Sequence, residues 1–138
     1  MRAKAIGLFT LCLLLVMPVF SEAANYSLVV NQFLINPDVP PVVEGRNILV
    51  PLRAVAEATG AEVAYDESRR AVIINRQGLA VRIWPGKYNA IKNGSEIFLV
   101  QPPQIIQNRT FVTREELAKI LDVRTFLSVR LGAVVIEG

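Results

Sequence analysis

Apolar and polar positions alternate in short runs along most of the chain, with two stretches of helical spacing set among them. Ser27 to Asn31 reads as a β-branched strand and Phe33 to Ile35 as a second short one. Pro37, Pro40 and Pro41 cannot donate ladder hydrogen bonds, so they belong in a loop or on an edge. Val42-Val43, Glu44-Gly45-Arg46 and Ile48 to Val50 predict a tight hairpin, with Gly45 free to take a positive φ. A helix follows, with Pro51 in its first turn and Gly60 as its stop. Leu52, Val55, Ala56 and Thr59 share its buried face, while Arg53 and Glu57 point outward. Glu62 to Tyr65 and Ala71 to Asn75, joined through Asp66-Glu67-Ser68, predict another hairpin. Leu79, Val81 and Ile83 then alternate with Ala80, Arg82 and Trp84, which buries the first set and places Trp84 on the face of Arg82.

The same pattern recurs 62 positions later. Tyr26 to Asn75 superimposes on Tyr88 to Glu137 without a gap. Ten identities fall in register, among them Tyr26/Tyr88, Asn31/Asn93, Pro40/Pro102, Pro41/Pro103, Val50/Val112 and Ile74/Ile136. Apolar positions stay apolar between them, as at Leu49/Phe111 and Val55/Leu117, so units 26–75 and 88–137 read as a duplication. The second unit has Gln107-Asn108 at the hairpin turn, a Thr113/Glu116 capping box, and Leu117, Ile120 and Leu121 as its helical stripe. The expected fold class is α+β: antiparallel hairpins packed on two short helices in two 62-residue pseudo-repeats.

Composition changes the picture first at the N-terminus. Arg2 and Lys4 precede an apolar run from Ala5 to Val16, then Pro18 and Ser21-Glu22-Ala23, the signature of a secretory signal peptide over 1–23. The body then spans 24–138, with no membrane span after cleavage. Cys12 leaves with the leader and lacks the small residue that lipidation needs before it, so no disulfide and no lipid anchor are expected. The remaining chain carries 13 basic and 11 acidic side chains, too even a balance to call for nucleic acid. The sequence contains no histidine, which excludes Ser-His-Asp and Cys-His hydrolysis, histidine-ligated copper and HExxH zinc chemistry.

The stretch Asn36-Pro37-Asp38-Val39-Pro40-Pro41-Val42-Val43-Glu44-Gly45-Arg46 is followed by Leu49-Val50-Pro51-Leu52-Arg53 and Ala56-Glu57-Ala58-Thr59-Gly60-Ala61. It resembles the copper amine oxidase N-terminal domain family, or stalk domain, whose usual Trp-Asp turn is here Tyr65-Asp66. The resemblance covers essentially the whole body, with a degenerate second half: Thr113-Arg114-Glu115 stands for Pro-Leu-Arg, and Asp122 for the helix-ending glycine. It implies an α+β module that is a non-catalytic stalk in the oxidases, and secreted or cell-surface relatives in bacteria. Copper there belongs to histidines of a separate catalytic domain, so neither metal nor cofactor is implied for this chain.

Four residues are candidates for ligand binding. Arg46 and Arg53 could present an anion site at the first helix, against the simpler reading that Arg53 pairs with Glu57 or Asp66. Trp84, with Arg82, could stack on a sugar ring, against packing between the units. Glu115-Glu116 does not make a glycosidase pair, because adjacent helical residues point about 100° apart. The expectation is a secreted, non-enzymatic stalk or interaction module at the bacterial cell exterior. Its partner is an unidentified protein or, as the alternative, cell-wall glycan bound through Trp84 and the arginines. A terminal strand at a sheet edge would also allow homodimerisation by edge pairing.

Overall fold

The computed structural model describes residues 25–138, so the expected signal peptide and Cys12 lie outside the described residues. In chain order the elements are β1 (Ser27–Val30), β2 (Phe33–Ile35), β3 (Val42–Glu44), β4 (Asn47–Pro51), α1 (Leu52–Ala58), β5 (Glu62–Asp66), β6 (Ala71–Arg76), β7 (Leu79–Ile83), β8 (Asn89–Lys92), β9 (Ser95–Phe98), β10 (Gln104–Ile106), β11 (Arg109–Thr113), α2 (Arg114–Leu121), β12 (Arg124–Ser128) and β13 (Ala133–Glu137). The class is α+β. Elements β8 to β13, with α2, each begin 62 positions after their counterparts in β1 to β6 and α1. Only β7, in the connection between, has no counterpart among the described elements.

Three sheets result, in the orders β12-β13-β1-β2, β10-β11-β4-β3 and β5-β6-β7-β8-β9. The second joins the two halves of the chain: β4 and β11 run antiparallel with Val50 opposite Val112, so equivalent residues meet at the centre of the pairing. The other two differ by one strand. In the five-stranded sheet β7 pairs antiparallel with both β6 and β8. In the first sheet the corresponding β13 and β1 pair directly, and therefore in parallel. The expectation of antiparallel hairpins alone is corrected there: with no strand inserted between them, β13 and β1 keep the common direction that β6 and β8 also share. A second correction concerns the C-terminal strand, which lies between β12 and β1 and offers no free edge for pairing between copies.

The helices bury the stripes their spacing predicts. Leu52, Val55 and Ala56 of α1, and Leu117, Ile120 and Leu121 of α2, are fully buried in one core with Val50, Val112, Leu28, Ile74, Ile83 and Ile136. Burying each such side chain contributes roughly 1.5–3 kcal/mol. The other face of the β4–β11 pair holds a small second cluster of Leu49, Phe111 and Val39.

The helix ends differ from the expected caps in two details. Pro51 occupies the N-cap of α1, with extended backbone, and also closes β4. Its missing N–H suits that junction, because no intrahelical acceptor awaits it. Gly60, at φ +91, ends α1 as expected: Ala61 N–H reaches Ala56 O at 3.0 Å and Gly60 N–H reaches Glu57 O at 3.0 Å, a Schellman closure. At α2 only half of the capping box forms. Thr113 Oγ1 accepts from Glu116 N–H at 3.2 Å, but the Glu116 carboxylate turns inward and takes the Val100 N–H at 2.7 Å.

Candidate functional site

An open groove of ≈ 740 Å³ lies beside the start of α1. Leu52, Arg53, Ala54 and Glu57 of α1 form one side, Val63 and Tyr65 of β5 with Val72 of β6 another, and Ile105 of β10 with Asn108, Arg109 and Thr110 the third. Sequence periodicity explains the lining. Leu52 is buried while Arg53 and Glu57 face outward, and Val63 and Tyr65 share one face of β5 two residues apart. The Asn108 turn, with Gln107 and Asn108 both at positive φ, brings Arg109 and Thr110 back along β10.

Two ion pairs line the groove. Arg109 donates through Nε to Asp38 Oδ2 at 2.9 Å, and its terminal nitrogen bonds the same oxygen. This pair fastens the proline loop of the first half to the β10–β11 hairpin of the second. The hydrogen bond from Arg109 holds the Asp38 carboxyl below its ordinary pKa and, in return, raises that of the guanidinium. Arg53 Nη1 lies 3.7 Å from Glu57 Oε1, with both side chains about half exposed (55% and 52%). Tyr65 is half exposed and lines the groove together with the apolar side chains of Val63, Val72 and Ile105.

Of the four residues singled out from the sequence, only Arg53 lines this groove. Arg46 is exposed in the β3–β4 turn. Arg82 stands on the outer face of the five-stranded sheet, opposite Ile73 and Ile91, with its Nε buried and unpartnered among the described residues. Trp84 is half-buried just beyond β7. Tyr65, Asp38 and Arg109 were not singled out, although Tyr65 occupies the aromatic position of the family turn. Asp38 and Arg109 meet only through tertiary folding, and nothing local marks them.

The positions that correspond to the groove in the second half are differently used. Arg114, at the position of Leu52, reaches across to Thr125 O at 3.3 Å and ties α2 to β12. Glu116, at the position of Ala54, is buried, and Lys119, at that of Glu57, bonds the Phe98 carbonyl.

The search of curated proteins finds no match. The profile of one family, described as copper amine oxidase N-terminal domain, matches residues 29–134, from within β1 to within β13. That span takes in both helices and every residue lining the groove. The chain belongs to the copper amine oxidase N-terminal domain family.

Proposed function

We propose that the protein is a secreted, non-catalytic interaction module of the bacterial cell exterior, and that the groove beside α1 is its contact surface. The observation that carries this reading is the groove itself: apolar side chains, a half-exposed tyrosine and two ion pairs whose charges cancel. Such a surface offers shape, apolar area and paired donors and acceptors, which is the equipment of binding. Family membership supports the same reading, since the match is to the N-terminal domain alone.

The copper of the family name does not fit the residues present. The sequence has no histidine, and no group of three or more His, Cys, Asp or Glu gathers among the described residues. Sulfur is confined to one cysteine and two methionines, so the donor set that binds copper is missing. General acid–base work is poorly served as well: each carboxylate at the groove is paired with an arginine, and the hydrogen bond from Arg109 favours the charged form of Asp38. We read the 62-residue recurrence as a gene duplication in which the outer face of α1 kept its place in the groove and the corresponding residues of α2 turned to structural use.

Export is tested by the mass of the protein recovered from a bacterial culture medium or cell wall: removal of 1–23 leaves a chain beginning at Ala24. The binding reading is tested by co-sedimentation with washed bacterial cell envelopes. The protein is expected in the pellet and the Ala54→Trp variant, whose indole fills the groove, in the supernatant. Equal recovery of both in the supernatant would contradict it.

A further inference from the structure

We infer that the groove beside α1 takes a neutral saccharide, with Tyr65 as the stacking platform; this rests on the proposed reading of the groove as the contact surface. Its volume of ≈ 740 Å³ falls inside the range of about 300–1,000 Å³ usual for small-ligand sites. Three features of the lining select the chemistry of the occupant. First, the four charged side chains at the groove form two closed pairs, Arg53–Glu57 and Arg109–Asp38, so no net charge remains to attract an anion or a cation. Second, each pair sets N–H donors beside carboxylate acceptors, and all four side chains keep between 46% and 60% of their surface exposed. A sugar hydroxyl donates and accepts at once, so it can bond both members of a pair without separating them. Third, Tyr65 lines the same groove as both pairs and is 50% exposed. An aromatic face of that kind covers the C–H face of a pyranose, and its hydroxyl stays free to reach a polar partner.

An extended peptide is the rival occupant, because β5 and β10 are both edge strands with one side of the ladder open. The edges are guarded against it. Glu62 and Asp66 stand at the two ends of β5, and Gln104 at the start of β10 is drawn back to Glu44 at 3.4 Å. Charge at a strand edge disfavours strand addition.

The saccharide site also differs in place from the sugar-stacking surface expected around Trp84 and Arg82. Arg82 lies on the outer face of the five-stranded sheet, whereas Tyr65 and Val72 lie on its inner face, where Tyr65 pairs across from Val72.

The test is calorimetric titration of the protein with neutral tetrasaccharides of hexose and of N-acetylhexosamine, beside a heptapeptide of alternating Val and Thr. At least one tetrasaccharide is expected to bind, with affinity at least tenfold weaker in Tyr65→Ala, retained in Tyr65→Phe and unchanged in Trp84→Phe. Tyr65→Phe also serves as the fold control, since the ring and its packing remain. Saccharide binding that survives Tyr65→Ala, or is lost in Trp84→Phe alone, would overturn the assignment. Binding of the peptide without any saccharide would overturn the ligand class while leaving the groove as the contact surface. No heat with either probe, while envelopes still pellet the protein, would also overturn the saccharide; failure to pellet as well would remove the underlying reading.

Discussion

Asp38 and Arg109 lie 71 positions apart in the chain, and their ion pair closes one side of the groove. The carboxyl pKa is depressed, so the contribution of this contact is present above the ordinary carboxyl value of about 3.9 and is lost as pH falls through the lower folded value. A carboxyl-carbon titration by nuclear magnetic resonance should therefore place the Asp38 midpoint below the usual range, and Arg109→Gln should move it up. No movement would mean that the pair does not persist in solution. Asn31 and Asn93 show why a sequence identity can be structural: both turn the chain at positive φ, and each amide then bonds the adjoining strand, Asn31 to both backbone groups of Gly138 and Asn93 to Ala80 N–H. Glu116 is the residue that sequence reasoning placed correctly on the helix but gave the wrong partner. The cap hydrogen bond that its N–H donates to Thr113 is local and legible; the bond its carboxylate accepts from Val100 depends on where β9 ends. Glu116 is 4% exposed and its Oε2 has no partner among the described residues. Glu116→Gln should leave stability unchanged or raised, because the amide oxygen still accepts from Val100 N–H. Glu116→Ala should lower it by about 1–3 kcal/mol, as that donor is left buried and unsatisfied. Denaturant unfolding of the two variants decides the point, and equal stability would contradict the role.

At the scale of elements, what short-range chemistry governs was readable. Helical spacing marked both buried stripes, glycine and asparagine marked the hairpin turns, and alternation marked Leu79, Val81 and Ile83 as buried. Gly60 carries the end of α1 through its left-handed backbone, and a side chain there is strained even though space is open around it. Gly60→Ala should cost about 1–2 kcal/mol, seen as a lower denaturation midpoint with an unchanged slope; no shift would show that α1 ends by other means. What alternation could not show is which strands become neighbours. The parallel β1–β13 pair joins the two ends of the body, and β7 enters between β6 and β8, choices settled by long-range packing with no local signature. For the same reason Arg82 and Trp84, close in sequence to a buried strand, looked like partners of Arg53, whereas the sheet separates Arg82 from the groove.

At the scale of the whole molecule, the two halves of the sequence are interlocked. The β4–β11 ladder and the β1–β13 pair each take one strand from each half, and the main core draws on both helices. Neither half can bury its helix alone, so thermal unfolding should show one transition, with far-ultraviolet circular dichroism and Trp84 emission coincident. Two separated transitions would contradict the interlocking. The groove inherits this dependence: its α1 and β5 walls come from the first half and its β10–β11 wall from the second. A groove so placed forms only when the whole body folds. The most direct test is a map of backbone amide shifts on titration with solubilised cell-wall fragments. The account predicts saturable changes confined to Asp38, 52–57, 63–65 and 105–110. Changes centred on Arg82 and Trp84 across the outer face of the five-stranded sheet, or none at saturating fragment, would contradict it.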